Sequence, residues 1–125
     1  MKHVYSFEKL QVWIESKELT KQIYSITKKF PKDENFGITS QMRRASISIC
    51  SNIAEGVSRR TNKDKARFTT IAFSSAVEIV NQLIISYELG FLMFTEYESL
   101  RGKLESITNK LKALRKFQLS TTESK

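Results

Sequence analysis

Apolar residues recur at helical spacing along nearly the whole chain, and the breaks between runs are few. After Phe7 come Leu10, Trp13 and Ile14, then Leu19, Ile23, Ile26 and Phe30 at steps of four, three and four. Lysines and glutamates occupy the other faces. Pro31 disfavours helical geometry at the residue before it, so this pattern predicts a first helix over about residues 7–30. Ile38, Met42, Ala45 and Ile49 form a second stripe, predicting a helix over about 38–57 with Gly56 as its terminator. Its remaining positions are largely small (Ser46, Ser48, Ser51, Ala54), which lets a neighbouring helix come close.

The third run is the longest, about 63–89, or roughly 40 Å at the usual helical rise, with Thr61 or Asn62 as N-cap. Beyond Phe68 it is apolar on nearly every side, from Ile71, Ala72 and Phe73 to Ile84, Ile85 and Leu89. A helix of that kind buries more than one face. In so small a domain, one of those faces calls for another subunit, so the pattern predicts an oligomer. Gly90 breaks the chain, and Thr95 with Glu98 reads as a capping box for a fourth helix over about 95–117. Met93, Tyr97, Leu100, Leu104, Ile107, Leu111 and Leu114 alternate by four and three, as in a bundle seam. Ser120 to Lys125 reads as a polar tail. With no strand alternation and no fixed-period repeat, the expected fold is all-α: one domain, residues 1–125, built as an up-down-up-down four-helix bundle.

Composition agrees and adds charge. The 125 residues suffice for one core, and one proline with four glycines favours long helices. Twenty-one basic residues against 13 acidic leave a net charge of +8, which points to an anionic partner or to solubility alone. The single Cys50 forms no intrachain disulfide, no signal peptide is visible, and polar residues interrupt every apolar run. The expectation is a soluble cytoplasmic protein with no membrane span.

Catalysis is not expected. The only histidine is His3, in the lead segment, so neither a catalytic triad nor a His-based metal site can be assembled. There is no phosphate-binding glycine loop, and a di-metal bundle would need Glu-x-x-His pairs that the chain lacks. The chain therefore reads as no enzyme, with no cofactor and no metal.

Two clusters remain. Asn52, Glu55, Glu78, Asn81 and Gln82 lie on or beside apolar faces, and buried carboxylates need a cation, which Arg43 or Arg44 would supply. This reads as an interhelical polar network that sets register, or alternatively as a polar ligand pocket. The second cluster is Arg43, Arg44, Arg59, Arg60, Lys63, Lys65 and Arg67, a net +5 against Glu55 and Asp64. Clustered Arg and Lys bind polyanion backbones, largely by releasing condensed counterions. No aromatic residue is interleaved with this basic loop, so base stacking is not expected. Lys110, Lys112, Arg115 and Lys116 on the last helix read as a solvated face, or alternatively as a widening of the basic surface. Two functions follow: an oligomeric protein that binds the RNA or DNA backbone, or a structural or protein-interaction module whose basic loop serves solubility.

The residues also resemble a family. Phe7-Glu8-Lys9-Leu10-Gln11-Val12-Trp13, Phe30-Pro31, Gln41-Met42-Arg43-Arg44-Ala45, Asn52-Ile53-Ala54-Glu55-Gly56 and Ser75-Ala76-Val77-Glu78 are similar to the bacterial proteins encoded in intervening sequences of 23S rRNA genes. The resemblance spans about residues 7–117, with one departure: Cys50 stands where the family usually has proline. It implies a four-helix bundle. Through a related accessory protein of diversity-generating retroelements, it also implies a basic homopentamer that binds nucleic acid and a reverse transcriptase.

Overall fold

The computed structural model describes residues 2–120, so the polar tail beyond Ser120 lies outside the described residues. Four α-helices carry the fold: α1 Gln11–Thr27, α2 Ile38–Val57, α3 Asn62–Glu88 and α4 Phe94–Ser120. Each packs beside its neighbour in sequence, and α1 meets α4 to close the ring. Cross-helix hydrogen bonds give the directions. Arg43 on early α2 reaches Thr27 on late α1, while Glu15 on early α1 accepts from Ser106 on late α4. The result is an up-down-up-down bundle, as short connections between amphipathic helices require.

The core is built from the predicted stripes. Leu19 and Ile23 of α1, Met42, Ile49 and Ile53 of α2, Ala72, Ala76, Ile79 and Leu83 of α3, and Leu100, Leu104, Ile107 and Leu111 of α4 are all essentially inaccessible to solvent. Each large aliphatic side chain among them contributes on the order of 1.5–3 kcal/mol by leaving water. Small polar residues let the helices approach closely. Ser16 is buried and returns its hydroxyl to Val12 O, and Thr20 hydrogen-bonds to Ser46 O across the α1–α2 contact. α2 runs unbroken through Cys50, whose thiol lies 3.6 Å from the Thr20 hydroxyl. Burial pushes that thiol's pKa above its ordinary value, although the contact with Thr20 opposes the shift.

α2 keeps its expected bounds, while four features differ from the sequence reading, each for a local reason. The first run is two elements, not one. A 3-10 turn at Ser6–Lys9, held by Glu8 accepting the Tyr5 N–H, is followed by extended backbone at Leu10, and only then does α1 begin. Gly56 does not terminate α2 through a left-handed residue, because Gly90 is the one described residue with positive φ. Gly56 instead makes room, since a Cβ there would stand 2.9 Å from Phe68 Cβ. Thr95 and Glu98 form no capping box. Glu96 takes the cap instead, accepting the Met93 N–H at 3.0 Å, so α4 starts one residue earlier than expected. At its other end α4 runs past Phe117, because Gln118 is buried and accepts from Thr69 at 2.8 Å.

The α3–α4 turn closes as a Schellman motif. Gly90 at φ 81 lets its N–H reach Tyr87 O while the Phe91 N–H reaches Ser86 O. By length and composition alone α3 is apolar enough to cross a membrane, but much of that apolar surface is used in the core. One broad face, from Ala66 and Phe68 to Leu83 and Ser86, packs against α2 and α4. The opposite face leaves Ile71, Val77, Ile84 and Ile85 uncovered by this chain.

Candidate nucleic-acid interface

The seven cations singled out from the sequence do not form one patch. Arg43 and Arg44 lie on the first half of α2, at the end of the bundle where α1 finishes. The residues from Arg59 to Arg67 lie at the opposite end. Arg43 is turned inward onto α1. Its Nε donates to Thr27 Oγ1 at 2.9 Å, its Nη2 to Tyr24 O at 3.4 Å, and its guanidinium sits 4.6 Å from the Tyr24 ring centroid. That leaves it a helix-to-helix clamp with little reach toward a phosphate. Arg44 is exposed.

At the other end, Thr61 caps α3 by accepting the Asp64 N–H at 3.1 Å, which fixes the turn of the chain between α2 and α3. Two of the arginines there are spent within the chain. Arg59 bonds Glu55 at 2.9 Å and lies 3.7 Å from Asp64, and Arg67 bonds the other oxygen of Asp64 through both Nε and Nη2. Both guanidinium groups lie over Phe68, at 4.5 and 4.6 Å from its centroid, and Phe68 is itself buried. The Phe68 ring beside the cluster is thus covered by these two cations. Among the described residues, Arg60, Lys63 and Lys65 pair with no carboxylate, Lys65 being half-buried and the other two exposed.

The sequence of residues 8–113 matches the model of a family described as the 23S rRNA-intervening sequence protein. The chain belongs to that family. Among solved structures it is similar to a Bacteroides thetaiotaomicron VPI-5482 protein of unknown function from the S23 ribosomal protein family. The two are 23% identical with a TM-score of 0.76, over 84% of this chain and 98% of the other, a likeness of fold. No curated protein matches the chain significantly.

The polar residues expected to form one network divide instead: Glu78 and Gln82 meet each other on α3, Asn81 is exposed, and Asn52 and Glu55 find other partners on or next to α2. Asn52 donates to Ser48 O and Oγ on its own helix, and Ser48 in turn meets Ser75 on α3 at 2.8 Å. Glu55 is exposed and pairs with Arg59, while Glu78 is exposed and accepts from Gln82 at 3.1 Å. Neither carboxylate meets Arg43 or Arg44 among the described residues. The reason is angular: the helical positions of Glu55 and Glu78 face outward, so neither needs a buried counter-ion. The Asn-Ile-Ala-Glu-Gly string thus divides its work. Ile53 fills the core, Asn52 links to the Ser48–Ser75 contact, Glu55 anchors Arg59, and Gly56 admits Phe68.

The last helix carries the second basic cluster named from the sequence. Lys112, Arg115 and Lys116 are exposed, and Arg115 reaches across to α3, where its Nε donates to Thr70 Oγ1 at 2.9 Å. The available signal was that residues 106–120 hold four cations and no carboxylate. Lys110 differs from the other three, because it is paired with Glu15 on α1 at 2.8 Å.

Proposed function

We propose that this protein is a non-enzymatic, self-associating four-helix bundle that binds the phosphate backbone of RNA or DNA through the basic end of the bundle. The observation that carries this reading is the charge left after internal pairing at the α2–α3 connection. Arg59 and Arg67 are neutralised by Glu55 and Asp64, while Arg60, Lys63 and Lys65 have no carboxylate partner among the described residues. Uncompensated cations repel one another and gain by displacing counterions from a polyanion. Self-association is supported by the uncovered face of α3. A second copy of the chain is the natural cover for Ile71, Val77, Ile84 and Ile85, and five copies are what the family resemblance implies. Repeating a weak patch around such an assembly multiplies its avidity. A reverse transcriptase or another protein partner follows from the resemblance alone.

The test is fluorescence anisotropy with a labelled duplex RNA and a single-stranded RNA between about 50 and 200 mM salt. Affinity is expected to fall steeply with salt. The variant Arg60→Ala/Lys63→Ala/Lys65→Ala should lower the slope of log affinity against log salt by up to about 2.7, at roughly 0.9 per phosphate contact. An assembly that binds neither RNA at moderate salt would instead be the protein-interaction module.

A further inference from the structure

We propose that the polyanion surface is not the α2–α3 connection alone. On this inference it is a groove between the start of α3 and the end of α4, in which Lys112 and Arg115 contact the backbone of a nucleic-acid duplex together with Lys63. The inference rests on the nucleic-acid reading above and specifies where and how the polymer lies.

Register brings the two stretches together. α3 and α4 are each 27 residues long and antiparallel, and the Arg115–Thr70 and Gln118–Thr69 hydrogen bonds set their alignment. Lys63 and Arg67 therefore lie alongside the last turns of α4, although about fifty residues separate the two clusters in sequence.

Shape and charge then coincide. A depression of about 500 Å³ is lined by Thr61, Lys63, Arg67, Thr70, Arg115 and Leu119. It shares Thr70 and Arg115 with a second of about 240 Å³, which continues over Phe73 and Leu111 to Lys112. Among the described residues Asp64 is the one carboxylate lining this groove, and two arginines already share it.

Arg115 is pre-oriented. Its Nε is held by Thr70, whose own hydroxyl donates to Ala66 O, and its two terminal nitrogens make no hydrogen bond among the described residues. A guanidinium fixed at one nitrogen loses less freedom when the others take up a phosphate. Nor are these cations placed to satisfy the helix dipole. That effect is confined to the last turn, and the last turn of α4 carries no basic residue.

The groove also selects its ligand. Its one aromatic ring, Phe73, is half-buried with Lys112 Nζ 5.7 Å from its centroid, so nothing offers an open face to an unstacked base. Gln118, the amide nearest this end of α4, is buried and bonded to Thr69. Ammonium, guanidinium and hydroxyl groups alone read backbone, not bases. A duplex presents its phosphates outward and keeps its bases stacked, so it is the form that fits.

The experiment measures anisotropy of a labelled 20-base-pair duplex against salt for the parent and for Lys112→Gln/Arg115→Gln, with circular dichroism and light scattering on both. The variant should keep its helicity and subunit number and lose about 1.8 from the salt slope, at roughly 0.9 per contact. Because Arg115 also joins α3 to α4, Lys112→Gln alone serves as a second variant that removes no hydrogen bond of the chain and should lower the slope by about 0.9. Parental slopes in both variants, with the parent still binding and Arg60→Ala/Lys63→Ala/Lys65→Ala weakened, would overturn the groove and leave the nucleic-acid reading standing. A parent that binds no duplex would overturn both, and a clear preference for a single strand would overturn the choice of duplex.

Discussion

Two glycines show how far a single methyl group can carry opposite consequences. At Gly56 a Cβ would meet Phe68 Cβ at 2.9 Å and Lys65 O at 3.4 Å, where α2 and α3 converge and neither atom can swing aside. Gly56→Ala should destabilise the protein by about 1–3 kcal/mol, the usual range for overpacking a tight contact. At Gly102, exposed in the middle of α4, nothing lies within 4 Å of the added carbon. Gly102→Ala should stabilise by about 0.5–1 kcal/mol through helix propensity and a less free unfolded chain. Urea denaturation of both variants checks the pair, and equal effects would refute it. The sequence located both glycines inside or at the end of helical runs but could not rank them, because the difference lies in what a neighbouring helix brings to each. Arg43 has the same lesson. Its type and position suit a phosphate contact, and only the packing of α1 shows it bonded to Thr27 and Tyr24.

Between elements, two ion pairs tie α1 to α4 at its ends. Lys110 with Glu15 joins them at the basic end, and Lys29 with Glu96 joins the end of α1 to the start of α4. Burial raises the Glu15 pKa, but hydrogen bonds from Lys110, Ser106 and Gln11 and the Lys110 charge outweigh it, so the carboxyl titrates below the ordinary glutamate range. The hydrogen bond from Lys29, aided by the Met93 N–H, lowers Glu96 likewise. A carboxylate whose pKa is depressed in the folded state contributes stability above its unfolded pKa. That contribution is lost as pH falls from the ordinary glutamate value through the lower folded one. Glu15→Gln/Glu96→Gln should therefore lose less stability than the parent between neutral pH and about pH 3. Thermal unfolding across that range reads the difference, and parallel curves would sink the assignment. Neither pair was visible in the sequence, since partners more than sixty residues apart are set by helix register.

For the whole molecule the question is what covers α3. The run of apolar residues on nearly every side of this helix predicts two buried faces, and the bundle supplies a cover for one. Ile84→Asp, on the uncovered face, should leave the fold intact and shift the protein toward smaller species in sedimentation or light scattering. An unchanged mass would move the contact elsewhere, and a parent that is already monomeric at micromolar concentration would remove the case for self-association. The basic surface also belongs to this scale. Lys63 and Arg115 line one depression only because α3 and α4 are antiparallel and equally long.

Hydrophobic periodicity by itself determined the number of helices, the side of each that faces the core, and their up-down order, because burial of apolar surface dominates folding and short connections allow few arrangements. The Asn52 to Gly56 string and the flanking motifs carried the family. Only the tertiary structure decided which charges are spent. Glu55 and Asp64 hold Arg59 and Arg67 locally, four and three residues away, but Arg43 is held by α1 and Lys110 by Glu15 across the bundle. That accounting places Arg43, Arg59 and Arg67 in the scaffold and leaves Lys112, Arg115 and Lys116 exposed on α4.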